Sequence, residues 1–277
     1  MAQQFVSFLN IVAHPHDESV YRRVLEEASG RRVNFWGDDY GAIVEPIDED
    51  DSILRGRVIT WTEIDKNSQL LNSRKLEEID EEIASIIPPE VGINARSFNY
   101  AFDLLTHKFA FEIRDENGKS LAPTRMQRLF QNAIKSSKIL EELDELDVYL
   151  QSGNEGIEAV FALQNINKVI IELSLPNPDE HEELFRRKFE EEKIKKRRTE
   201  LTKARGEDSI ILSDEDRQMS IVASNNGYVE THGRNEEGEI SRRSTRNFPM
   251  RVSHEIPDDT SRSELIRGKL RQRFRNV

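Results

Sequence analysis

Residues 97–114, SFNYAFDLLTHKFAFEIR, place two aromatic-rich runs, 97–104 and 108–114, on either side of a short turn. Large flat side chains suit a pleated, half-buried surface, so the segment reads as a β-hairpin. A lone hairpin is marginal in water and needs a layer to cover it. Asn117-Gly118 turns the chain out of the sheet, and Pro123 fits the first turn of a helix carrying Met126, Leu129, Phe130, Ala133 and Ile134. That helix is expected to pack on the hairpin.

The rest of the chain alternates in the same way. FVSFLNIVA (5–13) reads as a buried strand and Asp17 to Ser29 as an amphipathic helix ended by Gly30. Strands are read over 33–44, broken by Gly37 and Gly41, and over 53–64. A charged helix near 74–87 stops at Pro88-Pro89. Beyond a soft boundary at Gly153 to Gly156, the readings are strands 157–163 and 168–175, a long charged helix 179–205, a loop 206–217, and an antiparallel pair 219–232 and 239–246. The tail from Arg262 reads as a basic helix. The expected fold is α+β, with mixed and antiparallel sheets, flanking helices and the long charged helix. Two domains are expected: 1–152, holding the hairpin, and 153–277, holding the charged helix and the basic tail.

Composition removes several functions. With 33% charged and 36% hydrophobic residues, no window reaches the run of roughly 18 apolar residues a bilayer helix requires. The start, MAQQFVSFLNIVAHPHDES, shows neither a basic n-region nor a cleavage site, so a cytoplasmic protein is expected, with no membrane partner. Zero cysteines exclude disulfides, thiolate metal sites and a cysteine nucleophile.

The net charge of −12 conceals an uneven distribution. Acid gathers at Glu45 to Asp51 and Glu77 to Glu82, while 186–205 and 242–275 are rich in arginine and lysine. Lys193, Lys195, Lys196, Arg197, Arg198, Arg242, Arg243 and Arg246 are therefore the candidate nucleic-acid-binding residues, because phosphate neutralisation needs local positive charge. The alternative is a solvated charge run, or a basic tail docked on the protein's own acidic half or on a sister subunit.

Two constellations raise metal chemistry. His14-Pro15-His16-Asp17-Glu18 joins two histidines to two carboxylates, though it equally makes a strand-to-helix turn with Asp17 as the helix cap. Glu158 with Glu172-Leu173-Ser174 approximates the carboxylates of a metal-dependent nuclease, with serine where that chemistry uses lysine. No phosphate-cradling loop, dinucleotide fingerprint, nucleophile elbow or zinc-protease motif occurs. No cofactor, resident metal or catalytic residue is expected.

LNIVAHPH near the start, GDDYG at 37–41, RGRVITWTEID at 55–65, the hairpin with NGKSLAP, and the ending NGYVETHGRNEEGEISRRSTRNFP resemble an uncharacterised bacterial family, domain of unknown function four-seven-four-seven. The order of the hairpin, VIIELSLP, a charged insertion and YVETHGRNEEGEI is similar in architecture to the phage-lambda exclusion protein RexA and the Kiwa defence protein KwaB. These resemblances imply a non-catalytic component of a bacterial antiphage defence system of the abortive-infection type. They imply DNA or RNA binding, a homodimer or other homo-oligomer, and a partner protein of the same system. The alternatives are a metal-dependent nuclease effector and an assembly subunit with no nucleic acid.

Overall fold

The structure, a computed structural model, describes residues 3–64, 71–72, 74–78, 88, 90–177, 183–257 and 259–275. In chain order its first half comprises β1 (Gln3–His14), α1 (Glu18–Ala28), β2 (Val33–Trp36), β3 (Asp39–Ile43), β4 (Asp48–Asp50), β5 (Ile53–Glu63), β6 (Leu71–Asn72), β7 (Glu77–Glu78), β8 (Gly92–Asp103), β9 (Lys108–Glu112), α2 (Pro123–Lys135), α3 (Ile139–Glu142) and β10 (Glu145–Leu150). The second half continues with α4 (Asn154–Phe161), β11 (Asn165–Ser174), α5 (Glu183–Glu192), β12 (Lys196–Thr202), α6 (Asp214–Asn226), β13 (Gly227–Arg234), β14 (Ile240–Ser244), a 3-10 turn at Thr245–Asn247, β15 (Arg251–Glu255) and α7 (Arg262–Phe274). The fold is α+β.

A large antiparallel sheet runs β10-β1-β9-β8-β5-β3-β2, with β15 also paired to β1 and β4 to β5. Its centre is the aromatic hairpin, β8 and β9, joined through Tyr100↔Phe111 and Phe102↔Phe109. On one face α1 and α2 bury Leu9, Ile11, Phe102, Phe109 and Phe111. Phe109 meets Phe130 of α2 edge-on at 5.1 Å, so the helix opening at Pro123 does cover the hairpin. On the other face α7 sets Ile266 and Leu270 against Val6, Phe8, Ile53, Ala101 and Ala110.

The second sheet has the order β12-β11-β13-β14, all antiparallel. Val169, Ile171, Leu173 and Val229 face a core built with Val160 of α4, Phe185 and Phe189 of α5, and Met219, Val222 and Ala223 of α6. The seam between the sheets is polar. Asn10 donates to Asn226 Oδ1 (2.9 Å) and to the Asn225 carbonyl (3.0 Å), and Asn177 donates to the Ile11 carbonyl (2.9 Å). Because the Asn177 amide nitrogen is committed, its oxygen must accept, and Tyr21 Oη donates to it at 2.9 Å. His16 Nδ1, 2.8 Å from the same hydroxyl, is therefore the donor to it.

Several expected elements are corrected. The helix expected over 179–205 is α5 followed by a strand: Lys193 adopts φ 56°, a left-handed residue that ends the helix, and β12 follows in alternation, with Arg197, Thr199 and Leu201 turned inward. Of the segment expected as strand 157–163, residues 157–161 are helical in α4, where Ile157, Val160 and Phe161 recur at helical spacing toward the second core. Residues 219–226, expected in a strand, complete α6, and the loop expected over 206–217 ends where Ser213 caps that helix by accepting from Asp216 N. Of the helix expected near 74–87, residues 74–76 form a turn and 77–78 a strand paired with 71–72, while 79–87 lie outside the described residues. The chain leaves the first sheet at the expected 152/153 boundary but returns to it at β15 and α7.

Candidate nucleic-acid interface

A strand shows alternate side chains to opposite faces, so the apolar row of β11 dictates where its polar row points. With Val169, Ile171 and Leu173 in the core, Lys168, Ile170, Glu172 and Ser174 occupy the opposite face, on which Ile170 and Ser174 are themselves buried. The register carries that face across the sheet. Glu172 stands opposite Arg198 and Tyr228, Ile170 opposite Glu200 and Glu230, and Lys168 opposite Thr202 and His232. Beyond β13, His232 faces Arg242 and Arg234 faces Ile240.

The face is a lattice of ions. Glu172 lies 3.1 Å from Lys196 and 3.7 Å from Arg198. Glu200 lies 2.6 Å from Lys168, and buried Glu230 accepts from Arg242 and lies against His232, both at 2.6 Å. Burial works to raise the Glu230 carboxyl, but the hydrogen bonds from Arg242 and His232 outweigh it, and Glu230 titrates below the ordinary carboxylate range. A hydrogen bond from Lys168 likewise lowers Glu200, and the bond to Glu230 raises Arg242. Within the four strands and the adjoining 3-10 turn, Lys168, Lys196, Arg198, Arg234, Arg242 and Arg246 oppose Glu172, Glu200 and Glu230, a two-to-one excess of cations on a chain of charge −12, while Asp147 and Glu145 of β10 adjoin the face at Ser174. Arg242 is 68% exposed and Arg198 53%, leaving both reachable from solvent.

The pleat divides the sequence-predicted cations. Lys196, Arg198 and Arg242 lie on the open face, and Arg246, in the 3-10 turn, covers the Tyr228 ring of that face at 3.6 Å. Arg197 and Arg243 point the other way: Arg197 pairs with Glu192 beside the Phe189 ring, and Arg243 donates to the Ala159 carbonyl at 2.9 Å. Lys193 is exposed in the bend after α5, and Lys195 donates to the Asp144 carbonyl (2.7 Å), tying the second sheet to the first. Lys168, Tyr228, His232 and Arg234 escape a reading based on charge runs. The alternation of KRRTELT against INKVIIEL is the signal that would have found them.

Most of the basic tail is committed elsewhere. Arg262 pairs with Glu112, Arg267 with Asp50, Arg271 with Asp50 and Asp51, and Arg275 with Asp51 and Asp103. It docks on the chain's own acidic stretch. The nuclease carboxylates are not brought together: exposed Glu158 belongs to α4 on the covered side of the sheet, and Glu172 faces away on the open side, held by two cations. Among the described residues no group of three or more His, Asp or Glu is arranged to hold a metal ion. His14 Nε2 lies 3.3 Å from the Leu175 carbonyl, His16 bonds Tyr21, and Asp17 caps α1 by accepting from Ser19 N (2.8 Å), which is the turn reading of that cluster.

Near Ser174 the open face meets β10. Tyr149 Oη lies 2.5 Å from Ser174 Oγ and donates to Asp147 at 2.8 Å. Beside them burial, then the Asp147 charge, push the Glu145 carboxyl up to about 7, with Lys195 and Lys196 acting against the shift. No helix among the described residues is long and apolar enough to cross a membrane.

No curated protein matches the sequence. A family model matches residues 5–271, which is nearly the whole chain, and the chain therefore belongs to the family described as Domain of unknown function (DUF4747).

Proposed function

We propose that the protein binds nucleic acid across the open face of β11–β14, as a non-catalytic component of an antiphage defence system. The observation that supports the binding is the two-to-one excess of cations over carboxylates on one exposed sheet face of an acidic chain. The cationic side chains of Lys196, Arg198 and Arg242 are 47%, 53% and 68% exposed, so each can contact a phosphate through N–H groups its carboxylate partner does not occupy, without unpairing Glu172 or buried Glu230. Each phosphate neutralised also releases a counterion. The carboxylates keep the long side chains extended over the sheet, spaced by the strands. The defence role rests on the resemblance of the chain's motifs.

The test is fluorescence anisotropy of labelled single- and double-stranded DNA and RNA, titrated from low to physiological salt. Affinity should fall steeply with salt. In Arg198→Gln/Arg242→Gln it should weaken by about tenfold or more, with the salt slope reduced by about 1.4 to 1.8, the amount set by two lost phosphate contacts. Arg197→Gln, on the opposite face, should leave both unchanged. An absence of binding at low salt, or a double variant that binds as the wild type does, would refute the reading.

A further inference from the structure

Between α2 and the end of the second sheet lies a cleft of about 310 Å³. One wall is the polar side of α2, with Arg128, Gln127 and Gln131; the other is the 3-10 turn, with Thr245 and Arg246; Ser224 of α6 and Tyr149 of β10 also line it. Its lining contains no Asp or Glu, on a chain with 52 of them. Among the described residues neither Arg128 nor Arg246 has a carboxylate partner, and the two line the same cleft.

Both guanidiniums lie near aromatic rings. Arg246 stacks 3.6 Å from the Tyr228 centroid, and Arg128 lies 5.2 Å from that of Trp36, a ring it shares with Arg125 at 4.7 Å. Stacking occupies the flat side of a guanidinium and leaves its N–H edge to donate, the geometry suited to bidentate contact with a phosphate. The neutral groups complete a donor-rich lining. Gln127 and Gln131 each donate one amide hydrogen to the Val148 carbonyl, at 2.8 and 3.0 Å, which fixes the side chains and leaves each a second amide hydrogen. The Thr245 hydroxyl accepts from Val229 N at 3.1 Å, so its own proton is available to a ligand.

We infer that this cleft binds a phosphate monoester, its anionic group held between Arg128 and Arg246. The volume lies at the lower end of small-molecule sites and admits a phosphate with one attached sugar and base. Two sources present that chemistry: a free nucleoside monophosphate, and the 5′-phosphate end of a strand. The inference shares Arg246 with the proposed sheet face, but Arg128 belongs to the cleft alone, and Arg198 and Arg242 do not line it.

Isothermal titration with adenosine monophosphate, adenosine, inorganic phosphate, and a thymidine tetranucleotide with and without its 5′-phosphate tests it, with thermal shift as a second readout. A phosphate-bearing probe should bind and raise the melting temperature, and its counterpart lacking phosphate should not. Arg128→Gln and Arg246→Gln should each weaken binding by about tenfold or more, and the double variant should abolish it, with melting temperatures confirming that the variants fold. Arg198→Gln/Arg242→Gln should keep the site, which separates this inference from the proposed sheet-face function. Binding of the mononucleotide alone assigns a free ligand; binding of the phosphorylated strand alone assigns a strand end. Equal binding of adenosine and its monophosphate, failure of every phosphate-bearing probe at low salt, or arginine variants that bind normally would overturn it.

Discussion

Two residues at the seam and in the second sheet decide more than their size suggests. Glu145 carries a carboxyl whose folded pKa is about 7 against an ordinary 4.5, a shift caused first by burial and then by Asp147. A raised carboxyl stabilises the fold fully below 4.5, and that contribution is lost as pH rises through about 7. His14 and buried His107 run the other way, each lowered by burial from 6.5, so their contribution is present above 6.5 and is lost as pH falls. Melting temperatures from pH 5 to 9 should therefore show Glu145→Gln gaining on the wild type above pH 7, matching it in acid, and keeping the same acid decline; a variant that never gains above pH 7 would refute the assignment. Gly227 is a steric case. A Cβ there would land on the Glu172 carbonyl oxygen, in the backbone of the adjacent strand, where no side chain can yield. Gly227→Ala should cost about 1–3 kcal/mol in urea unfolding, the range for overpacking a filled site, whereas Gly153→Ala, with open space around its Cβ position, should be close to neutral.

At the level of elements, α7 shows how a basic segment becomes architecture. Glu112 is fully buried and accepts from Gln4 Nε2 (2.6 Å), Arg262 Nε (2.6 Å), Asn99 N (2.9 Å) and Asn99 Nδ2 (2.8 Å), pinning the start of α7, while Arg275 on Asp103 (2.6 and 2.7 Å) pins its end. Glu112→Gln turns an amide NH₂ toward donors and removes the charge facing Arg262, so it should lower stability by about 3–5 kcal/mol, seen as a lower urea midpoint at unchanged slope. The sequence made the hairpin, α1, α2 and α7 legible because propensity, capping and burial agree in each: Asp17 caps α1, Pro123 opens α2 and Ser261 caps α7. It misled where charge pattern and pleat conflict. KIKKRRTELT follows a run of glutamates at i, i+4 spacing and imitates a continuing helix, yet its inward row, Arg197, Thr199 and Leu201, belongs to an edge strand whose pairing comes from β11. The same conflict hid half of the candidate interface, since strand register alone brings Lys168 and Glu200 together across two strands.

For the whole molecule, the question is whether two sheets mean two separable units. The first sheet lacks two pieces until the end of the chain: β15 pairs with β1 through Gln3↔Glu255 to Ser7↔Arg251, and α7 covers Val6, Phe8, Ile53, Ala101 and Ala110. Residues 1–152 alone would expose that apolar face and leave Glu112 and Asp103 buried on one side without Arg262 and Arg275. The seam adds the bonds from Asn10 to α6 and from Asn177 to β1. A chain that leaves a sheet and returns to finish it folds as one cooperative unit, because the α7-facing core draws Val6, Phe8, Ile53, Ala101 and Ala110 from one half and Ile266 and Leu270 from the other. Fragments 1–152 and 153–277 made separately should be insoluble or bind a hydrophobic dye, and should recover a single sharp unfolding transition when co-expressed; the intact chain should show one calorimetric peak whose calorimetric and van't Hoff enthalpies agree. A soluble fragment 1–152 with a cooperative transition of its own would mean that the returning strand and helix decorate a finished domain. Under that outcome the stability assigned to Glu112 would have to come from Gln4 and Asn99 alone, which Arg262→Ala in the full chain would reveal as a near-neutral change.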